Sequence, residues 1–269
     1  MALFFIFYNM DKTLEKLGGL EFYKWEDVWE DGGKEIKCAD SLTGKWDDYV
    51  PTSENFHDSL KVEKIGQSIA DTFYKECRSA LDVRRYDYNN SDQRWLQKMD
   101  IDCAVEMQAK SLDVFWLNYS EKFRQCDCGD MCIELWSDFE KEKLGWAVGK
   151  HDDGPDYYLY VTPKHFYEVC DNKHFHNMID QITQQWDHDR IKSELKVNGR
   201  EYDNNCSIPI SVGGHDATLI KTWTKFNEDK KWFGVCICIP WKTLFNEFLI
   251  DINMYDRNYN KLNINKEYE

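Results

Sequence analysis

The chain predicts an α+β domain, close to α/β in style, with a central mixed β-sheet flanked by helices. Three observations carry this. Over 58–82, Val62, Ile65, Ile69, Phe73, Cys77 and Ala80 recur at steps of three and four, the spacing of one helical face. Short segments rich in β-branched and aromatic residues follow, separated by turn-prone stretches at 110–113, 127–130 and 151–156. A second helical pattern and a last strand then close the domain, an order that suits one mixed sheet.

Residues 1–57 are aromatic and irregular, with turn signals at Gly18-Gly19 and Gly32-Gly33. They read as an N-terminal extension packed on the core, with Trp25, Trp29 and Trp46 inward and Ala2 to Tyr8 as a buried first strand. That apolar run is short for a signal-peptide core, and no Lys or Arg precedes it. No stretch approaches the roughly 20 apolar residues of a membrane span. The expectation is a soluble cytoplasmic protein with no membrane partner.

The main domain is expected over 58–250. After the first helix, strands are expected over 101–107, 114–123, 131–136, 146–148 and 157–161. A helix over 172–186 would turn Phe175, Met178, Ile179, Ile182 and Trp186 inward. The strand 232–239 runs into Pro240, well placed to open a helix whose apolar face is Leu244, Phe245, Phe248 and Leu249. Gly213-Gly214 is a turn and not a phosphate loop, because no Gly-Lys-Ser/Thr follows. Residues 251–269 are polar and Asn-rich and read as a frayed tail.

The 269 residues carry a formal charge of −15, with 42% hydrophobic residues, enough for a sizeable core. The acidity argues against a simple nucleic-acid coat protein, whose footprint is basic, but leaves room for a local basic groove. Ten cysteines in a chain of this length read as reduced, mostly buried thiols. Cys126, Cys128 and Cys132 have spacers of one and three, and Cys236 and Cys238 are distant in sequence, so structural zinc is disfavoured.

The stretch 92–160 carries the chemistry. An acid at the start of one strand and a Lys on the next converge across a hairpin, and Asp102 precedes Lys122 by 20 residues. Carboxylates take a hard divalent cation such as Mg²⁺. Such an ion activates water and offsets charge on a phosphate, while a Lys holds that water or adds to the offset. Lys122 and Arg124 also fit the solvated face of an edge strand. Glu134, inside an apolar strand, needs a partner, for which Arg124 is available. Gln97 also fits a local hydrogen-bonding role.

Asp92, Gln97, Ile101-Asp102, Glu121-Lys122-Phe123-Arg124, Ile133-Glu134, Gly145-Trp146 and Asp156-Tyr157 occur in that order. In this set the chain resembles the PD-(D/E)XK nuclease superfamily, and within it small proteins frequent in phages and mobile elements. The resemblance covers about 58–165. It implies a restriction-endonuclease-like core and metal-dependent hydrolysis of DNA, with Mg²⁺ or Mn²⁺. Asp102 would bind metal, Lys122 would be the catalytic lysine, and Arg124 and Gln97 would contact substrate. The second acid belongs two residues before the lysine, where this chain has Ser120. Glu121 should point to the opposite face. A bulge turning Glu121 inward, or Glu134 on the next strand, would replace the missing oxygen. The alternative is a catalytically degenerate nuclease fold that binds a protein partner, such as a phage-encoded inhibitor of a host system. The charge of −15 favours that alternative.

Overall fold

The computed structural model describes residues 56–86, 93–124, 127–148, 154–170, 172–201, 205–225 and 231–268. The expectations for the N-terminal extension, including Trp25, Trp29, Trp46 and the strand from Ala2, lie outside the described residues, as do Asp92, Cys38 and Cys126.

The protein is mixed α+β, with a large mixed sheet flanked by few helices. Helix α1 (Phe56–Glu76) precedes β1 (Asp82–Arg85), α2 (Arg94–Lys98), β2 (Cys103–Gln108) and β3 (Val114–Phe123). Next come β4 (Asp130–Asp138), β5 (Lys143–Leu144), β6 (Tyr157–Val161) and β7 (His165–Val169). Helices α3 (Asn172–Gln185) and α4 (His188–Val197) lead to β8 (Cys206–Val212), β9 (His215–Lys225) and β10 (Lys231–Pro240). The chain ends with α5 (Trp241–Asn246), β11 (Ile252–Asp256), β12 (Lys261–Leu262) and α6 (Ile264–Glu267).

Two sheets form, not one. The seven-stranded sheet has the order β1-β2-β3-β6-β7-β11-β12, and the five-stranded sheet β5-β4-β10-β9-β8. Strand β3 pairs antiparallel with β2 and parallel with β6, Ser120 lying beside Tyr158 and Lys122 beside Tyr160. A parallel pair needs a crossover, usually helical. Here the chain leaves β3, builds β4 and β5 in the other sheet, and returns as β6.

Strand alternation sorts the core. Leu159, Val161 and Phe166 face α1 and pack with Ile69, Ala70, Phe73 and Tyr74, the rings of Phe73 and Phe166 stacking at 4.7 Å. Tyr158, Tyr160, Tyr167 and Val169 face the other way. They join Met131, Ile133, Val235, Ile237 and the inward residues of α3 and α4. All five apolar positions expected to face inward over 172–186 are buried. On both faces apolar burial at roughly 25 cal/mol per Å² is the main stabilising term.

The first helix stops at Glu76, short of the expected 82. Ser79 adopts φ 56°, and Ala80 N–H donates to Tyr74 O at 2.9 Å, so the chain reverses and Leu81 N–H donates to Glu106 O. The expected strand 146–148 is a turn, because Gly145 N–H donates to Leu135 O and Val148 N–H folds back onto Gly145 O. The elements β8 and α4 carry weak sequence signals. Strand β8 holds the exposed Pro209, tolerated because β8 is an edge strand. Helix α4 buries only Ile191 and Leu195.

The polar tail is a correction. Strand β11 pairs with β7 over five positions inside the larger sheet, burying Ile252, Met254 and Tyr255. Farther on, Glu267 meets His165 Nε2 at 3.4 Å and the Tyr268 hydroxyl meets that of Tyr167. Polar residues dominate the segment's composition, but its apolar ones fall where the sheet needs them. Met254→Ala should therefore cost about 2–5 kcal/mol in urea unfolding, as buried Met truncations do. A cost near zero would mean the segment is loose.

Gly66 lies where α1 crosses β3. A Cβ there would stand 2.2 Å from Cδ1 of Phe123. In an open helix Gly→Ala gains about 1 kcal/mol. Here overpacking opposes it, so Gly66→Ala should lower stability by a net ~1–3 kcal/mol in thermal unfolding. A gain would show that Phe123 yields freely.

Candidate functional site

The site is assembled at the end of a five-residue helix. Helix α2 closes with Ile101 N–H donating to Leu96 O at 3.0 Å, and both residues are buried. This is the Schellman arrangement, which needs a left-handed residue just before Ile101. Asp100 occupies it at φ 59°, a conformation Asp tolerates better than most residues. Two residues on, Asp102 N–H donates to Tyr119 O at 2.8 Å and leads into β2. The turn thus delivers two carboxylates to the edge of β3.

Strand β3 is central, so its alternating side chains enter two different interiors. Ser120 and Lys122 share the side of Asp100 and Asp102. Ser120 Oγ donates to Asp100 Oδ2 at 2.7 Å and lies 3.4 Å from Asp102 Oδ2. Lys122 Nζ donates to Asp100 Oδ1 at 2.9 Å and stands 3.9 Å from Asp102 Oδ2. Asp102 Oδ2 also accepts the Glu121 backbone N–H at 2.7 Å. The side chains of Asp100, Asp102 and Lys122 keep 12%, 17% and 18% of their exposure, so water reaches a largely desolvated cluster. Tyr158 stands beside Ser120 on the neighbouring strand β6, its pKa raised well above the phenol range by burial and by Asp100 and Asp102.

Glu134 and Trp146 border the cluster. Lys122 Nζ lies 4.9 Å from the Trp146 ring centroid, a cation–π contact. The Trp146 backbone N–H donates to Glu134 Oε2 at 3.4 Å. Gly145 makes this possible, since a Cβ there would stand 2.1 Å from Glu134 O. Burial works against the Lys122 charge, but Asp100, Asp102 and Glu134 outweigh it and raise its pKa. The lysine is therefore a fixed ammonium, suited to offsetting negative charge and unsuited to acting as a base.

The expected site residues divide. Asp102 and Lys122 meet, and Glu134 comes within electrostatic reach of Lys122. Glu121 does not join them. It faces α1, where its carboxylate takes Arg85 Nη1 at 2.7 Å and Tyr74 OH at 3.0 Å. No bulge interrupts β3 to turn it round. Arg85 also reaches Asp71 Oδ1 at 2.8 Å, so Glu121 ties the sheet to the helix. Arg124 pairs with Asp130, not with Glu134. Neither Lys122 nor Arg124 stands on an edge strand. The side chain of Gln97 lies outside the described residues, although its backbone belongs to α2. Asp100 is the residue that sequence reasoning missed. Its only signal was the Asp-x-Asp pattern of Asp100-Ile101-Asp102.

Among the described residues, no group of three or more His, Cys, Asp or Glu side chains is poised around a common metal position. The donor chemistry nonetheless fits Mg²⁺, which is commonly held by one or two carboxylates with water completing its shell. Asp100 and Asp102 would supply those carboxylates, with Glu134 farther out. Also among the described residues, no helix is long and apolar enough to cross a membrane.

Burial pushes the Glu134 carboxyl pKa up, against the opposing pull of the Trp146 backbone N–H and Lys122. A carboxyl whose pKa is higher folded than unfolded binds more protons in the folded state between those two values. Its contribution to stability therefore falls as pH rises through that window. Glu134→Gln cannot titrate. Urea unfolding should show its stability relative to wild type improving from acid to neutral pH, whereas parallel pH profiles would contradict the shift. Compared with protein-family models, curated proteins and solved structures, the chain matches none of them.

Proposed function

We propose that the protein is a PD-(D/E)XK-like nuclease that hydrolyses DNA phosphodiester bonds with Mg²⁺ or Mn²⁺, of the kind encoded by phages or mobile elements. The observation that carries this reading is the convergence of Asp102 and Lys122 with Asp100 on one side of β3. The element order supports it. Helix α1, the antiparallel meander β1-β2-β3 and a strand parallel to β3 are compatible with the central sheet and flanking helices that a restriction-endonuclease-like core would have. Asp100 supplies the carboxylate that Ser120 cannot, and the Ser120 hydroxyl holds it in place.

A bound divalent ion would lower the pKa of a water and polarise the scissile phosphate. Lys122 would stand beside that phosphate and offset the charge that builds on its oxygens. Asp100 and Ser120 would fix the ammonium, so little reorganisation is needed during reaction. Arg124, held by Asp130 just past the end of β3, would stand near the DNA backbone.

A second reading is the non-catalytic, protein-binding form of this fold, such as an inhibitor of a host system. Ser120 at the acid position favours it. So do the exposed Val114 and Trp116 on one face of β3 and Leu112 in the turn before it, apolar groups of the kind that contact surfaces use.

Incubation with plasmid and linear DNA in Mg²⁺ and in Mn²⁺ separates the two. Wild type should cleave, and Asp102→Ala, Asp100→Ala and Lys122→Ala should each lose about 10²-fold or more, the scale of removing a transition-state partner. Cleavage persisting in Asp102→Ala and Lys122→Ala would dismiss this site. Inactivity of the wild type with both metals would leave the binding reading.

A further inference from the structure

Far from each other in sequence, Cys132 and Cys238 meet in the smaller sheet. Strands β4 and β10 pair antiparallel with Cys238 directly opposite Cys132, while Cys236 stands opposite Glu134. Period-two alternation puts Cys132, Cys236 and Cys238 on one face. Cys132 and Cys238 are therefore direct cross-strand neighbours, with Cys236 two residues before Cys238 on β10. None of the three is in a disulfide. Directly opposed residues of antiparallel strands have Cα atoms about 4.5–5.5 Å apart, inside the range of about 4.4–6.8 Å that a disulfide spans. Cys236 is diagonal to Cys132, and diagonal neighbours are typically ~7–8 Å apart. The register therefore selects Cys238 over Cys236. Access is graded as well. Cys132 is partly exposed, whereas Cys238 is buried at 2%.

We propose that Cys132 and Cys238 are a redox-active pair that closes into an intrachain disulfide by exchange with a low-molecular-weight disulfide such as oxidised glutathione. The Cys132 thiol, giving its proton to solvent, attacks one sulfur of the reagent, forming a mixed disulfide and releasing one thiolate. The Cys238 thiol, giving its proton to solvent, then attacks the Cys132 sulfur and expels the second thiolate. Both thiolates take up protons, so one reagent disulfide is reduced to two thiols while the two cysteines are oxidised to one cystine. Cys236 stays reduced.

The full chain equilibrated in glutathione buffers of increasing oxidation, quenched by alkylation and mapped by peptide mass spectrometry, tests this directly. The expected result is a linked peptide pair holding Cys132 and Cys238, formed as their alkylation is lost. That pair should be absent in Cys132→Ser and retained in Cys236→Ser. The wild-type map stands alone if a variant does not fold. Cys132 and Cys238 both alkylated across the whole series, or Cys132 linked to Cys236 instead, would overturn the proposal. So would stoichiometric zinc on the purified protein that shields these thiols until a chelator removes it.

Discussion

One constraint governs the molecule: β3 carries Ser120, Glu121, Lys122 and, just past its end, Arg124 into the middle of the fold. A charge buried without a partner costs several kcal/mol, and removing one partner of a buried pair costs about 3–5 kcal/mol. Each residue therefore has its own counterpart. Glu121 takes Arg85, Lys122 takes Asp100, and Arg124 takes Asp130. These three pairs fix where β1, the α2 turn and the start of β4 must lie against β3. The candidate site and the α1 interface are two consequences of the same alternation.

The two sides do different work. On the α1 side, Glu121 bonds to Arg85 and Tyr74, and Arg85 bonds on to Asp71 of the helix. On the other side the pairing is looser. Asp102 lies at 3.9 Å from an ammonium already bonded to Asp100, and it keeps contact with solvent. On the proposed nuclease reading, that looseness suits a group that exchanges partners during a reaction, whereas a group that holds a helix to a sheet needs none. Lys122 on the ring of Trp146 further limits its motion. Its ammonium is then a preorganised charge, the kind of group that the proposed nuclease reading would use to offset charge in a transition state.

The second sheet explains why the larger one needs few helices. Its β4 and β10 present Met131, Ile133, Val235 and Ile237 toward Tyr158, Tyr160 and Tyr167, occupying the face that a crossover helix would otherwise cover. The excursion through β4 and β5 also brings Glu134 and Trp146 to Lys122. The same strands bring Cys132 to Cys238, a proximity that spacing along the chain does not suggest.

Local pattern was enough for much of this. The strands Val114–Phe123 and Tyr157–Val161, the inward residues of the helix after Pro163, and the meeting of Asp102 with Lys122 were legible, because periodicity and the reach of a hairpin are short-range properties. The orientation of Glu121 away from Lys122 followed from alternation alone. Other features needed the tertiary structure. Asp100 enters the site through a left-handed helix end, and no residue pattern marks that conformation when Asp replaces the usual Gly. Residues 251–269 read as a tail because their composition is polar, yet β7 offers an edge that β11 completes. Arg124 found Asp130 rather than Glu134 because strand pairing, not charge, decides which carboxylate is within reach. The sequence by itself determined which residue types alternate on each element. Only the fold decided which of them meet, since long-range pairing depends on sheet order and register, which no local window contains.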